Sequence, residues 1–134
     1  MFGDVVDRTT FVPSPGAGVA AHAASFYTGA AGVRLMSVHG YLSRSDTVDE
    51  GFIRFSDDNG CTWSASAVWP TRFEAVGGIG RRHHRGGYVD PYTDRFFTFW
   101  TEGVLPTDDP LEGMRRWTLR YAVSTDGGRT FPIS

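Results

Sequence analysis

The sequence predicts an all-β fold of short antiparallel strands, and three observations lead there. One eight-residue pattern occurs twice, sixty-eight residues apart, each time after a strand-like run. Seventeen Gly, seven Pro and a 14% aromatic share suit short strands joined by tight turns. No stretch carries the apolar period of a convincing helix.

The two copies are Ser56-Asp57-Asp58-Asn59-Gly60-Cys61-Thr62-Trp63 and Ser124-Thr125-Asp126-Gly127-Gly128-Arg129-Thr130-Phe131. Both read Ser-x-Asp-x-Gly-x-Thr-aromatic. Asp58 and Asp126 are placed to accept backbone N–H groups just ahead and close a hairpin loop. Gly60 and Gly128 supply the positive φ of the reversal. Thr62 and Thr130 restart extended chain, and Trp63 and Phe131 can lay a ring on the sheet. Self-similarity at a fixed spacing marks a repeated structural unit.

The remaining elements follow outward from each pattern. In the first unit Ala23-Ala24-Ser25-Phe26 is a short strand, residues 27–32 a turn, and residues 33–38 a second strand. Residues 39–50 read as a loop, Gly51-Phe52-Ile53-Arg54-Phe55 as the third strand, and residues 62–68 as the fourth. In the second unit Gly87-Tyr88-Val89 leads into the turn Asp90-Pro91-Tyr92-Thr93-Asp94, where Pro fixes φ and Asp favours reversal. Residues 95–100 are the next strand, 101–116 a loop, and 117–123 the strand before the second pattern. The units span about residues 20–69 and 86–134 of a single domain of 134 residues.

The repeated pattern resembles the Asp-box of the sialidase (neuraminidase) superfamily. The resemblance implies a partial β-propeller: about two four-stranded antiparallel blades of a propeller of six. In that family the box joins the third and fourth strands of a blade on the face away from the active site. It also occurs in propellers without sialidase activity, so it speaks for architecture more than for reaction. Two blades do not close a ring. The expectation is a piece of a longer propeller; the alternative is assembly with copies of itself, three copies making six blades.

Antiparallel succession then places residues 12–22, 39–50, 70–86 and 101–116 on the rim opposite the boxes, with all four His and most of the clustered charge. Sialidases hold an anionic sugar with three arginines and use an Asp acid/base and a Tyr nucleophile assisted by Glu. The resemblance implies Asp49, in Asp49-Glu50-Gly51-Phe52-Ile53, as acid/base. It implies Arg44, after Leu35-Met36-Ser37-Val38-His39-Gly40-Tyr41-Leu42-Ser43, as a substrate contact. His22, His39, Arg81, Arg82 and Arg85 are further candidate contacts on the same rim. Where family members begin the first blade with Arg-Ile-Pro, this chain has His22-Ala23-Ala24, without an arginine. The Tyr nucleophile and later arginines belong to blades beyond these two, so the catalytic set is incomplete.

Other motifs read more simply. His83 and His84 would point to opposite sides of an extended chain and make a poor metal pair, so neither metal nor cofactor is expected. Gly77-Gly78-Ile79-Gly80 lacks a dinucleotide spacing and reads as a flexible loop. Residues 107–112 read as a turn. Cys61 is the single cysteine, so no internal disulfide forms. A net charge of −2 gives no electrostatic case for nucleic acid or a membrane surface. Residues 1–8 read unlike a secretion signal, and the compartment stays open. The partner expected is therefore a glycan. The activity is either exo-α-sialidase-type hydrolysis or non-catalytic binding of carbohydrate or protein, with a self-assembling structural unit as a third reading.

Overall fold

The computed structural model describes residues 9–44, 49–109 and 117–132. The middles of the loops expected over 39–50 and 101–116 lie outside these residues. Eight strands appear in chain order: β1 (Ala20–Tyr27), β2 (Leu35–Leu42), β3 (Glu50–Ser56), β4 (Ala67–Val68), β5 (Arg72–Ala75), β6 (Gly78–Val89), β7 (Phe96–Leu105) and β8 (Thr118–Ser124). They form two four-stranded antiparallel sheets, ordered β1-β2-β3-β4 and β5-β6-β7-β8. The chain is all-β among the described residues.

The two sheets share one register when matched at the serines that open the repeated pattern. Ser56 pairs with Leu35, which pairs with Tyr27; Ser124 pairs with Phe96, which pairs with Val89. Side chains alternate faces along a strand, so matched register means matched faces. Phe26, Met36 and Phe55 form one row of the first sheet, with Ala24, Val38 and Ile53 in the next row on that face. Their counterparts in the second sheet are Tyr88, Phe97 and Val123, then Gly86, Phe99 and Tyr121.

The core lies between the sheets. Met36 and Val38 of β2 pack on Phe96 of β7, with Phe26, Ile53, Phe55 and Phe131 around them. Burying several such side chains stabilises the pair by roughly 1.5–3 kcal/mol each. Like elements meet like elements. Phe26 of β1 lies against His84 of β6, ring centroids 5.4 Å apart. Asp94, in the β6–β7 turn, accepts the Ala30 N–H of the β1–β2 turn at 2.7 Å. The first repeated loop touches the second through Arg129 Nη2 and Asp57 Oδ1 at 2.7 Å. Arg34, just before β2, donates to the Asp126 carbonyl at 2.8 Å.

Three expectations are corrected. Residues 70–86 are not a loop: β5 and β6 form a hairpin closed by Val76 and Gly77, with Ala75 paired to Gly78. Arg81, Arg82, His83, His84 and Arg85 therefore lie inside β6, and Gly77 to Gly80 are turn and strand rather than flexible loop. The second sheet accordingly begins at Arg72, not near residue 86. His39 is not in a loop either, because β2 runs on to Leu42 against the start of β1. Likewise β7 extends through Leu105, shortening the loop expected from residue 101.

Candidate functional site

The repeated loops and the charged rim occupy opposite ends of the sheets. Ser56 ends β3 and Glu50 begins it, so the loop serine and Asp49 are separated by about 20 Å of extended chain.

At the loop end the two copies carry the same hydrogen bonds. Asp58 Oδ1 accepts the Thr62 N–H at 2.8 Å and Asp58 Oδ2 the Thr62 hydroxyl at 2.5 Å. Asp126 does the same with Thr130, at 2.9 and 2.6 Å. Each aspartate thus reaches four residues ahead, further than the local turn the pattern suggested. Ser56 Oγ donates to Asp58 and accepts the Gly60 N–H at 2.8 Å. Ser124 Oγ donates to Asp126 and accepts the Gly128 N–H at 2.9 Å. Gly60 and Gly128 adopt φ of +85° and +83°, as the reversal requires. The Thr62 hydroxyl, then its N–H and the Ser56 hydroxyl, hold the Asp58 carboxyl down at about 2. The Thr130 hydroxyl leads the same downward shift at Asp126. Trp63 packs edge-on to Phe11, and Phe131 joins the core. Nothing in this end is arranged to act on a ligand; its groups satisfy one another.

The opposite end gathers Asp49, Arg81, Arg82, Asp108 and Glu102. Asp49 follows the β2–β3 connection, its N–H bonded to the Tyr41 carbonyl at 3.0 Å. Its Oδ2 accepts the Ser43 N–H at 2.9 Å and the Ser43 hydroxyl at 2.5 Å. That hydroxyl bond, above all, lowers the Asp49 pKa; the Ser43 N–H and the charges of Arg81 and Arg44 add to it against partial desolvation. Arg44 and Arg81 are therefore near Asp49, as the rim assignment requires. Arg81 Nε also bonds Asp108 Oδ1 at 2.8 Å, and Arg72 Nε bonds Asp108 Oδ2 at 3.1 Å. Arg82 Nε bonds Glu102 Oε1 at 2.7 Å, and Arg120 approaches Glu102 Oε2 at 3.4 Å. The Arg82 guanidinium lies over the Phe73 ring at 4.4 Å. Arg85 is the extra residue of a bulge in β6, and its Nε donates to Thr101 Oγ1 at 2.9 Å. Cations and carboxylates thus alternate along this end, each guanidinium of β6 already engaged.

The histidines divide differently. His22 is exposed on β1. His39 is only 5% exposed; its ring stacks on Phe52 at 5.3 Å and meets Tyr41 edge-on at 6.4 Å. Burial, then the charges of Arg54 and His22, lower its pKa. His39 is thus a wall of the aromatic group beside Asp49, not a side chain presented to a ligand. His84 lies between the sheets, against Phe26 and Trp69, its Nε2 2.8 Å from Thr98 Oγ1. Burial alone pushes it down to about 4.

Sequence reasoning missed Ser43, Asp108 and Glu102 as partners of the rim groups. Ser43 was findable, six residues before Asp49 at the mouth of a predicted hairpin. Asp108 and Glu102 were not, since their partners are 27 and 20 residues away in the chain. Among the described residues no group of three or more His, Cys, Asp or Glu side chains is placed to hold a metal ion. No helix among them is long and apolar enough to cross a membrane.

Comparison with known proteins gives no match to a family model, to a curated protein or to a solved structure.

Proposed function

We propose that this chain is a pair of sialidase-like Asp-box blades, part of a β-propeller, that binds carbohydrate at the end opposite its boxes without hydrolysing it. The observation that carries this reading is the state of Asp49. A general acid must hold a proton near the working pH. Asp49 is instead held ionised by the Ser43 hydroxyl and by Arg81 and Arg44. It can accept a hydrogen bond from a sugar hydroxyl; it has no proton to give to a leaving group at neutral pH. The arginines support the same reading, since those of β6 are spent on Asp108, Glu102 and Thr101 rather than converged on one anion.

Alternating donors and acceptors suit sugar hydroxyls, which need both. The rings of Tyr41 and Phe52, 5.8 Å apart beside Asp49, offer an apolar platform for the C–H face of a pyranose. The like-on-like contact of the two sheets supports the propeller part of the reading: β1 on β6, turn on turn, box on box.

Sialidase-type hydrolysis, completed by further blades, is the second reading. What favours it is the position of Asp49 beside Arg81 and Arg44 at the end away from the boxes. A fluorogenic sialoside and a glycan array on the purified chain separate the two. Array binding that Asp49→Asn weakens about tenfold or more, without fluorophore release, supports the binding reading. Turnover abolished by Asp49→Asn overturns it in favour of hydrolysis; no binding and no turnover overturns both.

A further inference from the structure

The face of the second sheet turned away from the first is apolar and bare. It carries Tyr88, Phe97, Phe99, Leu119 and Tyr121, with Tyr88 57%, Leu119 64% and Tyr121 53% exposed. The shared register shows what this face is. Tyr88, Phe97, Phe99 and Tyr121 stand where Phe26, Met36, Val38 and Ile53 stand in the first sheet, and those four are covered by the second sheet. The clamp is duplicated too. Arg34 precedes β2 and grips the Asp126 carbonyl of the next sheet; Arg95 precedes β7 at the matching position and is exposed.

We propose that this face takes the first sheet of a second copy of this chain, repeating the contact the chain makes with itself. In that contact Arg95 would grip the Asp58 carbonyl of the second copy, and Trp63 would take the place that Phe131 holds in the core. The two surfaces differ, so copies add head to tail rather than about a two-fold axis. The carbohydrate reading is not needed for this inference, which rests on the repeat alone.

The internal contact also contains an ion pair that the contact between copies would lack. Arg129 meets Asp57 within the chain. At the matching positions of the contact between copies stand Cys61 and Thr125. That difference gives a test beyond simple disruption.

Sedimentation velocity over a micromolar concentration series reads the assembly, against a monomer of 14.7 kDa. The wild-type chain is expected to gain mass with concentration. Tyr88→Lys with Tyr121→Lys should return it to monomer with unchanged far-UV circular dichroism, because both rings are exposed in the single chain. Cys61→Arg with Thr125→Asp should tighten association several-fold, while either change alone should not. A wild-type monomer throughout the series overturns the proposal. Association that survives the paired lysines, or is indifferent to the paired charges, overturns it as well.

Discussion

Removing the Ser124 hydroxyl would leave the buried Gly128 N–H without an acceptor and Asp126 without a donor. A buried amide stripped of its partner costs about 1–3 kcal/mol. Ser124→Ala should therefore lower unfolding free energy by that amount in urea titration, and Ser56→Ala should follow it through Gly60. Replacing Thr125, exposed in the same loop, should leave stability near wild type. His84 gives a pH dependence of definite sign. Its folded pKa, about 4, lies below the ordinary value of 6.5, so between the two the unfolded chain binds more protons. Stability is then full above pH 6.5 and falls as pH drops toward 4, by up to about 3 kcal/mol. The urea midpoint should decline across that window, with His39 adding in the same direction. His84→Gln should flatten the decline; a level wild-type midpoint would contradict the buried placement.

At the scale of strands, the sheets approach closely where β6 has no side chain. A Cβ on Gly87 would stand 2.7 Å from the Phe96 ring and 3.2 Å from Phe26. Overpacking of a core contact costs about 1–3 kcal/mol. Gly87→Ala should lower Tm by several degrees, which calorimetry would read, whereas Gly86→Ala next to it meets open space and should cost less. The strands beside the repeated loops were legible because apolar alternation and turn chemistry are both local: β2, β3, β7 and β8 fall where the sequence places them. The β5–β6 hairpin was not. Arg81 to Arg85 look solvated in isolation, and they sit in a strand because Asp108, Glu102 and Thr101 answer them from β7 and its exit. One local signal existed: Val76-Gly77-Gly78 between two runs is a two-residue hairpin turn, with Gly77 at φ +87°. His39 was misplaced for a related reason, since the length of β2 is set by the small residues of β1 that pair with it.

For the whole molecule, the account requires that two copies of one sheet stack in the same sense. That arrangement sends both hydrogen-bonded loops to one end and Asp49, Arg81 and Glu102 to the other. The rim assignment was legible because it follows from strand antiparallelism and the position of the loops. Which groups there are free to meet a ligand was not, because pairing across the rim is long-range in sequence. The stacking itself is open to direct measurement in solution. A NOESY spectrum should show a strong cross-peak between the Gly87 α-protons and the Phe26 ring, since a Cβ at Gly87 would lie 3.2 Å from that ring. Absence of that peak, with Phe26 instead close to Phe97 or Tyr121, would mean that the first sheet covers the other face of the second, and the account would fail.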